Sequence, residues 1–125
     1  MNPIRITING IELHGELNDS ETAKAVLKAM PLRFTGHYWG EEIYGTIPVK
    51  LDEAPDAVEV VEEIGTLAYW PVGNAICLFW GPTPVSRSDE MRAASKVNVI
   101  GKVTANLERF LSEKPDPPRI VVEQL

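Results

Sequence analysis

Two alternating segments flank Asn9-Gly10, and this arrangement restricts the chain more than any other feature. Ile4, Ile6 and Ile8 alternate with Arg5 and Thr7 before the pair. Ile11, Leu13, Gly15 and Leu17 alternate with Glu12, His14 and Glu16 after it. Residues two apart lie on one face of a strand, so each segment has one apolar and one polar face. Asn-Gly supplies the positive φ that a two-residue hairpin turn needs at both positions. The chain therefore opens with a half-buried antiparallel hairpin, whose apolar face needs a partner layer.

The pattern then changes period. Ala23, Val26, Leu27 and Met30 recur at helical spacing, which makes one apolar stripe. Asp19 or Ser20 can cap its free amides, Glu21 suits the positive end of the helix dipole, and Pro31 ends it. From Leu32 to Pro48, aromatic and β-branched residues interrupted by Gly36, Gly40 and Gly45 suggest strands with turns or bulges. The acidic stretch from Asp52 to Glu63 is read mostly as loop, although Val58-Glu59-Val60 allows a strand. Thr66–Trp70 and Ala75–Trp80 read as two buried strands joined by Pro71-Val72-Gly73-Asn74. Gly81 to Asp89 is a proline-containing loop, and Val97 to Val103 is a further strand. Thr104 is expected to cap a short helix running to about Glu113. A proline-rich link then leads to a last strand, Arg119 to Gln124.

Many short strands with one longer and one short helix imply a mainly β fold: a closed β-barrel with the helices at its ends. A chain of 125 residues is read as one domain, residues 1–125. Its 44% hydrophobic and 24% charged content suits a soluble globular domain. The net charge of -6 argues against a nucleic-acid partner, which needs a basic face. No basic-apolar leader opens the chain, and no apolar run approaches the ~20 residues that span a bilayer. The cytoplasm is the expected compartment, with no membrane partner. The lone cysteine, Cys77, lies in an apolar run and is expected to be a buried, inert thiol. His14 and His37 are far apart, no ligand spacing for a metal is present, and no cofactor motif appears.

The order of elements resembles that of the cyclophilins. Ile4 to Leu17 is similar to the opening hairpin, and Glu21-Thr22-Ala23-Lys24-Ala25-Val26 to the helix that usually carries Thr-Ala-Glu-Asn-Phe. Gly65-Thr66-Leu67 through Gly73-Asn74 is similar to the Gly-x-Leu-x-Met-Ala segment and its turn. Ile100-Gly101-Lys102-Val103 is similar to the Phe-Gly-Lys-Val strand. Ala68-Tyr69-Trp70-Pro71, Phe79-Trp80-Gly81-Pro82 and Ser95 to Gly101 narrow the resemblance to a small prokaryotic cyclophilin-like family of single-domain proteins. The resemblance implies a closed cyclophilin-type barrel.

A cyclophilin eases rotation about the bond before proline, whose uncatalysed barrier is ~18–20 kcal/mol. It does so with an apolar proline pocket and an arginine that donates to the twisted amide, a contact that acts in the transition state. Here the Phe-His-Arg block and the later Gln-Gly-Gly-Asp are missing. Aligned through Gly101-Lys102-Val103, the pocket histidine falls at Val97 and the usual tryptophan near Arg92. Arg92 is the candidate catalytic residue, with an ion pair to Asp89 or Glu90 as its plain structural role. The candidate binding residues are Tyr69, Trp70, Asn74, Phe79 and Arg87. The leading expectation is a peptide or small-molecule binder with an aromatic-lined groove and weak or no isomerase activity. A divergent peptidyl-prolyl isomerase, and a homo-oligomer subunit associating through the aromatic surface, are the alternatives.

Overall fold

A computed structural model describes all residues 1–125. Strands β1 (Asn2–Ile8) and β2 (Ile11–Leu17) form the expected hairpin, with Ile8 opposite Ile11. Asn9 at φ 48° and Gly10 at φ 84° supply the two left-handed turn residues. Helix α1 (Glu21–Lys28) starts at Ser20, whose Oγ accepts from the Ala23 amide at 3.1 Å. The remaining elements are β3 (Leu32–Thr35), β4 (His37–Tyr38), β5 (Glu42–Thr46), β6 (Val58–Val61), β7 (Thr66–Trp70), β8 (Ala75–Phe79), β9 (Met91–Ala105), α2 (Leu107–Glu113) and β10 (Arg119–Gln124).

Nine strands run in the order β3-β10-β1-β2-β9-β7-β8-β5-β4, and β6 pairs with β9 off this path. The fold is mainly β, as expected, but the sheet is not closed into a barrel. The path ends at β3 and β4, which Gly36 joins. Where a further ladder would bring β3 onto β5, the Phe34 ring packs over Gly45 instead. A Cβ on Gly45 would lie 2.3 Å from that ring. Side-chain packing thus fills the seam that hydrogen bonds would otherwise close.

Three local expectations change. Strand β9 has 15 residues and begins at Met91, well before Val97. Its first half pairs with β6, so part of the acidic stretch is strand and not loop. Its second half continues through Thr104, so Thr104 does not cap α2. The residue before that helix is Asn106, at φ 70°, and its side-chain amide donates to the Glu12 carbonyl at 3.0 Å.

Alternation in β5, β7 and β8 gives the sheet two apolar faces. Ile43, Leu67, Tyr69, Ile76 and Leu78 join the main core with the hairpin isoleucines, Val26 of α1 and Phe110 of α2. Trp80 meets Phe110 edge-on at 5.7 Å there. Ala68, Cys77 and Phe79 face the other way and pack against Val61, Met91, Ala93 and Val97. Strand β6 and the first half of β9 therefore form a two-stranded ribbon over the second face. Asn98, also buried, fixes the acidic segment beside it. Its side-chain amide donates to Thr22 Oγ1 and the Asp52 carbonyl and accepts from the Ala54 amide.

Candidate functional site: a buried carboxylate in an aromatic cavity

The ribbon covers the second face incompletely, and the gap is a cavity of about 250 Å³. Strand β5 contributes Glu42 and Tyr44, β8 contributes Cys77, and β7 ends in Trp70. Ala93, Ala94 and Val97 of β9 form the facing wall, and Trp39 closes the side from the β4–β5 turn. That turn is held by the Trp39 amide on the Glu42 carbonyl at 2.9 Å, with Gly40 at φ 60°. Trp70 is fixed on three sides. Its Nε1 donates to Ser95 Oγ at 2.6 Å, Tyr44 meets it edge-on at 6.1 Å, and its ring lies over Gly73. A Cβ on Gly73 would come within 2.4 Å of the Trp70 ring, so glycine is the residue that fits there.

Glu42 is the unusual member. It is 4% exposed, and its Oε1 is buried without a hydrogen-bond partner. Desolvation pushes its carboxyl up to about 7, partly offset by a hydrogen bond from the Cys77 thiol. No cation is among the groups acting on it. Burial and the neighbouring Glu42 in turn raise the Cys77 thiol well above its ordinary value, so Cys77 is a packed thiol and not a nucleophile. A buried carboxylate without a cation beside it is costly, and a site that retains one has an oxygen, Oε1, available to bind or to exchange a proton. No cluster of three His, Cys, Asp or Glu converges as a metal centre would require.

The residues singled out from sequence do not gather in this cavity. Trp70 lines it, and so does Val97, the position where the resemblance puts the pocket histidine. Phe79 is fully buried in the cluster beneath. Tyr69 points into the main core. Its hydroxyl donates to the Val49 carbonyl at 2.6 Å and accepts from the Leu51 amide at 3.0 Å, with Asn74 Oδ1 at 3.1 Å. Asn74 thus serves Tyr69 and, at φ 48°, the β7–β8 turn. Arg87 is exposed on the Gly81–Asp89 loop. Arg92 Nε donates to Glu90 at 2.5 Å, and its Nη1 lies 3.5 Å from Glu59. The hydrogen bond lowers the Glu90 carboxyl and raises the Arg92 guanidinium. Ser86 is structural, since its Oγ accepts from the amides of Thr83 and Arg92 where β9 begins.

Sequence reasoning passed over Glu42 and Trp39. A glutamate beside glycines and aromatics reads as a solvated strand residue, and only the ribbon from β6 and β9 buries it. The one available signal is its phase, because Glu42 and Tyr44 share a face opposite Ile43.

The chain belongs to the cyclophilin-like family, whose pattern it matches over residues 2–123. The solution structure of the hypothetical protein AF2241 from Archaeoglobus fulgidus is similar. It is 37% identical, covers 99% of this chain and 95% of its own, and has a TM-score of 0.82. The structure of McbB in complex with tryptophan shares the fold at 15% identity and a TM-score of 0.75. That match covers 96% of this chain and 44% of McbB. No curated protein matches the sequence.

Proposed function

We propose that the protein is a binding domain that takes a small molecule, or one side chain of a peptide, in the cavity between Trp39, Trp70 and β9. One observation carries this reading: a cavity of about 250 Å³ with apolar and aromatic walls contains a single buried carboxylate, one of whose oxygens, Oε1, has no partner. Ligand sites combine such walls with a few oriented polar groups. A cavity of this volume suits a small molecule or a single side chain, and not a longer peptide. Val97 lines the cavity where the resemblance puts the cyclophilin pocket histidine, which is consistent with a rebuilt pocket on a retained scaffold.

The isomerase reading has less support. Its arginine would have to donate to a substrate amide, whereas the Arg92 guanidinium is already shared between Glu90 and Glu59. The test is a fragment screen by NMR. Binders should shift the Trp39 and Trp70 indole signals together with the Ala93 and Ala94 amides, and Ala93→Phe should abolish those shifts by filling the space. Fragments that bind only elsewhere, or bind equally to the filled variant, would refute the reading.

A further inference from the structure

Resting on the binding reading above, we propose that the cavity selects a primary ammonium on a short apolar arm, with the nitrogen donating to Glu42 Oε1 and the arm lying between Trp39, Tyr44 and Trp70. Oε1 is buried and has no partner, so it is an acceptor awaiting a donor. A neutral donor would satisfy its geometry, but a cation satisfies its charge as well, and a charge-assisted hydrogen bond is about twice as strong. The walls favour the same choice. Aromatic faces attract cations, more so when both are desolvated, and here three aromatic residues line one small space.

No cation of the protein itself competes. The other titratable groups on this side are Cys77 on β8, Tyr44 on β5, and His37 on β4, which lies against Tyr44 at 5.6 Å. Strand β7 presents Ala68 and Trp70, and β9 presents Ala93, Ala94 and Val97, none of them charged. Of the two cations in the ribbon, Arg92 is held by two glutamates and Lys96 is exposed. An anionic ligand would face an uncompensated carboxylate in this cavity, so the site discriminates by sign as well as by shape.

A free amine and a lysine side chain share this chemistry, and two probes separate the sources. Benzylammonium represents the free amine, Nα-acetyl-lysine N-methylamide the side chain, and benzyl alcohol the uncharged control. All are titrated against the intact protein, followed by the Trp39 and Trp70 indole NMR signals. A cation needs the ionised carboxylate, whose titration is centred at about 7, so affinity should rise roughly tenfold from pH 6 to pH 8. Glu42→Gln should weaken ammonium binding at pH 8 by tenfold or more and weaken benzyl alcohol binding far less, because only the cation loses a charge-assisted bond. The wild-type pH dependence tests the idea even without the variant. If benzyl alcohol binds as tightly as the ammonium probes at both pH values, the cavity binds ligands but the selection for a cation is refuted. If no probe binds, the selection for an ammonium is refuted, and the fragment screen decides the binding reading separately.

Discussion

Removing the charge at Glu42 should abolish a loss of stability that this carboxyl imposes on the folded protein as pH rises. The folded protein holds the Glu42 proton up to about 7, against an ordinary value of 4.5. A carboxyl whose folded value is raised contributes stability that is complete below the unfolded value and is lost as pH rises through the folded one. The window is therefore pH 4.5 to about 8. At about 1.4 kcal/mol per unit, the loss across it is roughly 3 kcal/mol, an upper figure that water entering the cavity would reduce. Glutamine keeps the shape and cannot ionise. Stability of Glu42→Gln relative to wild type should therefore rise by roughly 3 kcal/mol from pH 4.5 to pH 8, whatever constant offset separates the two proteins. Urea unfolding at half-unit pH steps measures this difference, and other carboxyls such as Glu12 and Glu90 cancel from it. For a chain of this size the effect corresponds to a shift of about 10 °C in relative Tm. A difference that is flat within about 0.5 kcal/mol across the window would refute the reasoning, since it would mean that Glu42 ionises freely in the folded state.

Three further outcomes are expected. Gly73→Ala should displace the Trp70 ring, costing about 1–3 kcal/mol and shifting the Trp70 indole NMR signal, because the new Cβ overlaps that ring. An unchanged Trp70 signal would count against the packing described. Asn98→Ala should cost about 2–4 kcal/mol and open the 52–57 segment to proteolysis, since Asn98 holds both Asp52 and Ala54; equal cleavage rates for variant and wild type would contradict this. Arg92→Ala should leave proline-peptide isomerisation at the wild-type rate. A rate above buffer that disappears with this substitution would instead restore Arg92 as a catalytic residue.

Much of the scaffold was legible because local rules and tertiary packing agree. Asn9-Gly10 with its alternating flanks, Ser20 ahead of the apolar stripe, and the compact runs 66–70, 75–79 and 119–124 each carry a signal that the fold keeps. The start of β9 was not legible. Met91-Arg92-Ala93-Ala94-Ser95-Lys96 has neither clear alternation nor strong β-formers, and its strand exists because β6 pairs with it. The end of β9 misled in the opposite direction: Thr104 has the chemistry of a helix cap, but the ladder to β2 extends through Ala105. Barrel closure was inferred from strand number, which cannot reveal that the Phe34 ring fills the seam over Gly45. The site was least legible, since Trp70 was singled out on aromatic content whereas Glu42 becomes unusual only once a second layer buries it.

The most direct measurement is a carbon-13 NMR titration of the Glu42 side-chain carboxyl, free and with benzylammonium. The free protein should titrate near about 7, and the midpoint should fall as the ammonium saturates the cavity, because a bound cation favours the ionised carboxylate. A midpoint at the ordinary 4.5 in the free protein, unmoved by the amine, would contradict a buried carboxylate with a free Oε1 as the centre of the site.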